Sequence, residues 1–167
     1  RVKKPRVLRV IQLADAALKR LGIADPRIAV AGLNPHCGEG GLFGGEDTDE
    51  IGPAVAEARS QSINATGPLP GDTVFSLMRG GRYDIVVAMY HDQGHIPMKL
   101  LGFQYDVKMD AWTAVAGINV TLGMPIIRTS VDHGVAFDKA GEGRANAQSM
   151  MEAIHMAAQL ATAGLVK

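Results

Sequence analysis

The run Asp84-Ile85-Val86-Val87-Ala88-Met89 constrains this chain more than any other stretch. It is apolar after its first residue and too short for a helix of its own, which predicts a strand buried on both faces. Such a strand needs a layer of helices on each side, so the expected fold is an open α/β sheet. The flanking sequence supplies the alternation. Apolar residues at helical spacing from Pro5 to Leu21 predict an amphipathic helix stopped by Gly22, and Arg27 to Leu33 reads as a short buried strand. Asp47 to Arg59 reads as a helix interrupted by Pro53, Ile63 to Thr66 as a strand, and Thr73 to Arg79 as a helix that Asp72 can cap. After Met89 the expectation is a loop Tyr90 to His95, a helix Ile96 to Leu101 and a polar excursion through Trp112. Strands Val115–Val120 and Pro125–Thr129, a loop to Ala145 and a helix Ala147–Ala163 complete the chain. His36, Asp72 and His91 each fall just past the carboxyl end of a strand, where open α/β sheets gather their ligands.

Charge narrows the partner. Among 167 residues, 17 Lys+Arg balance 17 Asp+Glu, which argues against a nucleic-acid or anionic-membrane surface and for a small molecule. The single cysteine, Cys37, permits no internal disulfide, and no apolar run reaches the ~18 residues of a membrane span; a soluble, cytoplasmic protein is expected. Glycine is enriched, 20 residues, and clusters in loops, which suggests backbone brought close to a ligand. The opening Arg1-Val2-Lys3-Lys4 reads as part of something longer.

His36 and His91 lie in glycine-bearing loops beside Glu39 and Asp92, a plausible divalent-metal pair, although a loop histidine can equally bond backbone carbonyls. His95 would share a helix face with His91 if the segment were helical, but Gly94 argues against that. His155 reads as structural, and Cys37 as a small loop residue rather than a nucleophile. Lys99 and Arg128 suit an anion site or ordinary surface snorkelling, and neither glycine loop matches a Gly-x-Gly-x-x-Gly or Walker pattern.

Four ordered motifs go further. They are Leu33-Asn34-Pro35-His36-Cys37-Gly38-Glu39-Gly40-Gly41, Gly67-Pro68-Leu69-Pro70-Gly71-Asp72-Thr73, Tyr90-His91-Asp92-Gln93-Gly94, and Ile118–Gly123 followed by Ile127–Gly134. Together they resemble the 4-hydroxythreonine-4-phosphate dehydrogenase family across nearly the whole chain, in its C-terminal half. The resemblance implies an isocitrate/isopropylmalate dehydrogenase-like sheet with flanking helices, as a fragment of a two-domain enzyme. It implies an α/β lobe over 1–140 and a C-terminal helix in 141–167 that packs on an N-terminal lobe. The implied activity is NAD- or NADP-linked oxidation of a phosphorylated 3-hydroxy acid, assisted by Zn, Mg or Co and followed by decarboxylation. The first candidate substrate is 4-phosphooxy-L-threonine, in pyridoxal 5'-phosphate (pyridoxine) biosynthesis.

Residue by residue, the resemblance makes His36 and His91 metal ligands, with a third histidine upstream of this sequence, and Asp72 and Lys99 catalytic. Lys99, Asn119 and Arg128 become substrate-binding, and His133, Gly134, Ala136, Asp138, Gly141 and Asn146 an adenosine-binding loop for the nucleotide. It implies a homodimer with the active site at the subunit interface. The chain departs from the shortest members by about ten residues between Gln104 and Ala114. D-threonate or D-erythronate 4-phosphate, or a cis-dihydrodiol dicarboxylate, are therefore alternative substrates. A non-catalytic binding module is the alternative of another class.

Overall fold

The structure is a computed structural model and describes residues 2–108, 110–135, 137 and 140–163. The chain divides into two compact units between His95 and Ile96. Helix α1 (Lys4–Arg20) carries proline in its first turn and buries Val7, Ile11 and Ala14 along one stripe. It ends in a Schellman motif: Gly22 at φ +95° lets Gly22 and Ile23 return their N–H groups to Lys19 and Leu18.

The first unit is built on a parallel sheet of order β2-β1-β3, from β1 (Ile28–Ala31), β2 (Ala65–Leu69) and β3 (Ile85–Val87). All four residues of β1 are fully buried. Their side chains alternate between two apolar clusters. Ile28 and Val30 join Val7, Ile11, Ile51 and Val55, from α1, α2 (Gly52–Ser60) and the turn before it, while Ala29 and Ala31 join Val74 and Tyr83 beside α3 (Val74–Arg79). The expected mixed α/β architecture with a parallel sheet and helices on both faces is present.

Several local expectations are corrected. The strand expected at Ile63–Thr66 runs instead from Ala65 through Gly67-Pro68 to Leu69, and the Gly67-Pro68 bond is cis. A side chain at Gly67 would place its Cβ 2.5 Å from the Val30 carbonyl oxygen and 2.8 Å from the Val30 Cβ. Gly67→Ala is accordingly expected to lower stability by roughly 1–3 kcal/mol through overpacking, read from urea unfolding midpoints. Asp72 does not cap α3. Thr73 occupies that position without a side-chain capping bond, its hydroxyl donating to the Pro70 carbonyl, which also accepts the Thr73 and Val74 amides. The segment from His91 is helical after all, α4 (His91–Gly102), because the Gln93 side chain accepts the Met89 N–H and closes the first turn despite Gly94. With the segment helical, the His91 and His95 rings stack at 4.1 Å.

One ion pair is expected to make the stability of the first unit depend on acid pH. Arg27 donates to Asp84 from Nη2 at 2.7 Å, Nε at 3.1 Å and its backbone N–H at 2.7 Å. The guanidinium bonds first, and the backbone bond second, hold the Asp84 carboxyl down from 3.8 to about 2. A depressed carboxyl contributes stability that is present above its ordinary value and lost as pH falls through its folded one. Asp84→Asn is therefore expected to flatten the melting temperature between about pH 4 and 2 while leaving the neutral-side slope unchanged.

In the second unit, the stretch expected as a polar excursion is an antiparallel hairpin, β4 (Phe103–Asp106) with β5 (Ala111–Val115). Trp112 meets Phe103 and Tyr105 edge-on at 5.7 and 5.2 Å. A second hairpin pairs β6 (Ile118–Thr121) with β7 (Arg128–Val131). Helix α5 (Gln148–Ala163) packs on it, burying Ser149, Ala153 and Leu160, with Thr129 Oγ1 donating to the Ala153 carbonyl. Met150, Met151 and Ile154 stay exposed on α5.

Candidate functional site

Because β1, β2 and β3 are parallel, their carboxyl ends share one edge, and the segments bearing His36, Asp72 and His91 all leave from it. The segment after β1 is unusual. His36, Cys37, Gly38, Glu39 and Gly40 are all left-handed, with φ from 41° to 84°. For a residue with a Cβ this costs roughly 1–2 kcal/mol, so three such residues in one turn need an external anchor.

Asp47 is that anchor. Only 1% exposed, its carboxylate accepts the Leu33 N–H at 2.9 Å and the Asn34 N–H and Nδ2, each at 3.0 Å. Asn34 Nδ2 also donates to Glu46. From sequence Asp47 reads only as the start of a helix; its one available signal is its place in the acidic pair Glu46-Asp47 that follows Gly44-Gly45.

The turn presents His36 with 68% of its side chain exposed, and the start of α4 presents His91 with 74% exposed. Both rings are wired alike. His36 Nδ1 meets Glu39 Oε1 at 2.5 Å, and His91 Nδ1 meets Asp92 Oδ1 at 2.9 Å. With the proton on Nδ1 facing its carboxylate, Nε2 keeps its lone pair, the arrangement of metal-binding imidazoles. The donor chemistry of these two residues fits a divalent metal. Among the described residues no group of three or more His, Cys, Asp or Glu gathers as a complete ligand set.

Two observations bring the other segments close. A Cβ at Gly71, next to Asp72, would stand 2.7 Å from Gln93 Nε2. Burial first, then the Asp47 and Asp72 charges, push the Cys37 thiol up. That thiol is thereby kept protonated, in agreement with its reading as a loop residue rather than a nucleophile.

The remaining candidates lie in the second unit. In the β6–β7 register Asn119 faces Ser130 and Thr121 faces Arg128, so Asn119 and Arg128 share one side of the hairpin. The intervening Val120 and Thr129 point to the other side, where α5 packs. Asn119 Nδ2 donates to Asp132 Oδ1 at 2.8 Å and Arg128 to Thr121 Oγ1 at 2.9 Å. Lys99 Nζ lies 5.6 Å from the centre of the Phe103 ring. His133 Nδ1 meets the Gly134 carbonyl, Gly141 is left-handed at φ +80°, and Asn146 Oδ1 accepts the Gln148 N–H at the start of α5. Ala136 and Asp138 lie outside the described residues.

Comparison with known proteins follows the same lines. The family model described as pyridoxal phosphate biosynthetic protein PdxA matches residues 1–157. The 4-hydroxythreonine-4-phosphate dehydrogenase of Geobacter metallireducens is 56% identical over 156 residues, 93% of this chain and 43% of that protein. The D-threonate 4-phosphate dehydrogenase of Salmonella typhimurium is 55% identical over 156 residues, 93% of this chain and 44% of that protein. The crystal structure of a 4-hydroxythreonine-4-phosphate dehydrogenase from Klebsiella pneumoniae matches with a TM-score of 0.79 and 51% identity, covering 96% of this chain and 45% of that one. The chain thus spans somewhat under half the length of the curated relatives it matches.

Proposed function

The chain belongs to the PdxA family of pyridoxal phosphate biosynthetic proteins, and from that membership we propose that it takes part in a metal-assisted, NAD- or NADP-linked oxidation of a 4-phosphorylated 3-hydroxy acid, with decarboxylation. The observation that carries this reading is the matched wiring of His36 and His91, each with Nδ1 against a carboxylate and the side chain largely exposed. Their Nε2 nitrogens would hold a Zn, Mg or Co ion. When bound, the ion supplies Lewis acidity at the substrate oxygens.

The chain's own residues have separate parts. Asp72, released from capping, is an exposed carboxylate able to take the hydroxyl proton. Lys99 and Arg128 supply positive charge for carboxylate or phosphate, and Asn119, on the same hairpin side as Arg128, an amide for a hydroxyl or carboxylate. His133, Gly134, Gly141 and Asn146, with Ala136 and Asp138, would hold the adenosine end of the nucleotide. The parallel sheet with helices on both faces supports an isocitrate/isopropylmalate dehydrogenase-like lobe. Exposed Met150, Met151 and Ile154 on α5 support packing of 141–167 against a further lobe. A cytoplasmic homodimer with its site at the subunit interface completes the proposal.

4-Phosphooxy-L-threonine is the first substrate to test. D-Threonate 4-phosphate is the second, supported by the 55% identity to the D-threonate 4-phosphate dehydrogenase of Salmonella typhimurium; the β4–β5 hairpin, which begins four residues after Lys99, exposes Tyr105 and Trp112. The test is reduced-nicotinamide absorbance with the whole enzyme, each 4-phosphate, each nucleotide and a divalent ion. Turnover with one of the two acids is expected, and a chelator should abolish it. Absence of turnover with every combination, and with D-erythronate 4-phosphate and a cis-dihydrodiol dicarboxylate in the same assay, would leave a binding module.

A further inference from the structure

We propose that Gln93 is a positioning residue, tying together the segments that carry His36, Asp72 and His91 and thereby setting how the two imidazoles present to a divalent metal ion. The proposal rests on the metal reading above. Gln93 sits in the first turn of α4, two residues after His91. Its Oε1 accepts the Met89 N–H at 2.7 Å, just past β3, and its Nε2 donates to the Gly32 carbonyl at 2.8 Å, just past β1 and four residues before His36. These partners fix the amide's orientation, because an N–H requires an acceptor and a carbonyl a donor; a flip would lose both bonds. The third segment passes beside the same group. Gly71, next to Asp72, has no Cβ, and one placed there would stand 2.7 Å from Nε2.

A simpler role would be a helix cap for α4. Capping uses only the bond to Met89, and it explains neither the bond to a carbonyl 61 residues away nor the amide's fit against Gly71. Gln93→Glu separates the two roles. The carboxylate keeps an acceptor for the Met89 N–H and suits a helix N-terminus, yet it sets an oxygen against the Gly32 oxygen, where no proton is available. Gly71→Ala is the complementary variant. It leaves Gln93 in the sequence and displaces only the flexible end of its side chain.

The experiment titrates the whole enzyme with Zn²⁺ alone and follows the imidazole ¹⁵N resonances of His36 and His91, with melting temperature recorded in parallel. In the parent enzyme, Zn²⁺ is expected to shift Nε2 of both rings. In Gln93→Glu and Gly71→Ala the midpoint is expected to rise about tenfold, at the low end for loss of an outer partner because Gln93 acts through the backbone rather than on a ligand ring, with the melting temperature lowered by roughly 2–8 °C in Gln93→Glu and little changed in Gly71→Ala. Should Gln93→Glu fail to fold, Gly71→Ala carries the same readout. Unchanged midpoints in folded variants would overturn the positioning role and leave the metal reading standing. No shift in the parent enzyme would overturn the metal reading, and the proposal with it.

Discussion

Replacing His36 or His91 with Ala is expected to lower metal-dependent turnover of the whole enzyme by about a thousandfold or more. A bound ion contributes several kcal/mol of charge stabilisation in such an oxidation, and each 1.36 kcal/mol is tenfold in rate. The carboxylates behind the rings should matter less and in a different way. Glu39→Gln and Asp92→Asn keep the ring in place but weaken the pull on its Nδ1 proton, so metal affinity should fall about 10- to 100-fold. Excess metal should then restore their activity, which it would not do for the alanine variants. Near-wild-type turnover in His36→Ala at saturating substrate and nucleotide would remove His36 from the ligand set, and the same result in His91→Ala would remove His91.

Asp47→Ala is expected to be the most destabilising single change in the first unit, at about 3–5 kcal/mol by chemical denaturation. It strands the Leu33 and Asn34 amides and one Asn34 side-chain donor, all bonded to a carboxylate that is 1% exposed. Hydrogen bonds to a charged group contribute roughly 1.5–3 kcal/mol each, and their loss is not fully additive. The same anchor holds the left-handed turn, so His36 ring resonances should broaden or move in any Asp47→Ala protein that remains folded. A variant within 1 kcal/mol of the parent by the same measurement, roughly the cost of an ordinary surface change, would show that Glu46 and the turn's own backbone bonds suffice.

Much of the frame was legible because the signals are local. The α1 stripe, its stop at Gly22, the buried β1 and the placement of His36, Asp72 and His91 past strand ends follow from periodicity and chain-breaking residues, which act within one or two turns. The ordered motifs carried the family as well, and the match over residues 1–157 agrees with them. The site's supports were not legible. Asp47 looks like any acid at a helix start and Gln93 like any polar residue after a histidine, until their partners 13, 14 and 61 residues away are known.

The same distinction accounts for the local corrections. Gly94 argued against a helix at His91 because glycine is a poor helix former. The Gln93 bond to Met89 outweighed that preference. Asp72 has the chemistry of a cap, but the Pro70 carbonyl, brought round by its own turn, reached the amides first. The β4–β5 pairing brings Tyr105 opposite Trp112, an aromatic contact that the stretch read as a polar excursion does not announce. Sequence by itself determined which residues prefer helix, strand or turn, since those preferences come from each residue's own torsions and polarity. Tertiary structure alone decided which buried polar groups have partners, because a carboxylate such as Asp47 tolerates burial only where the folded chain delivers its donors.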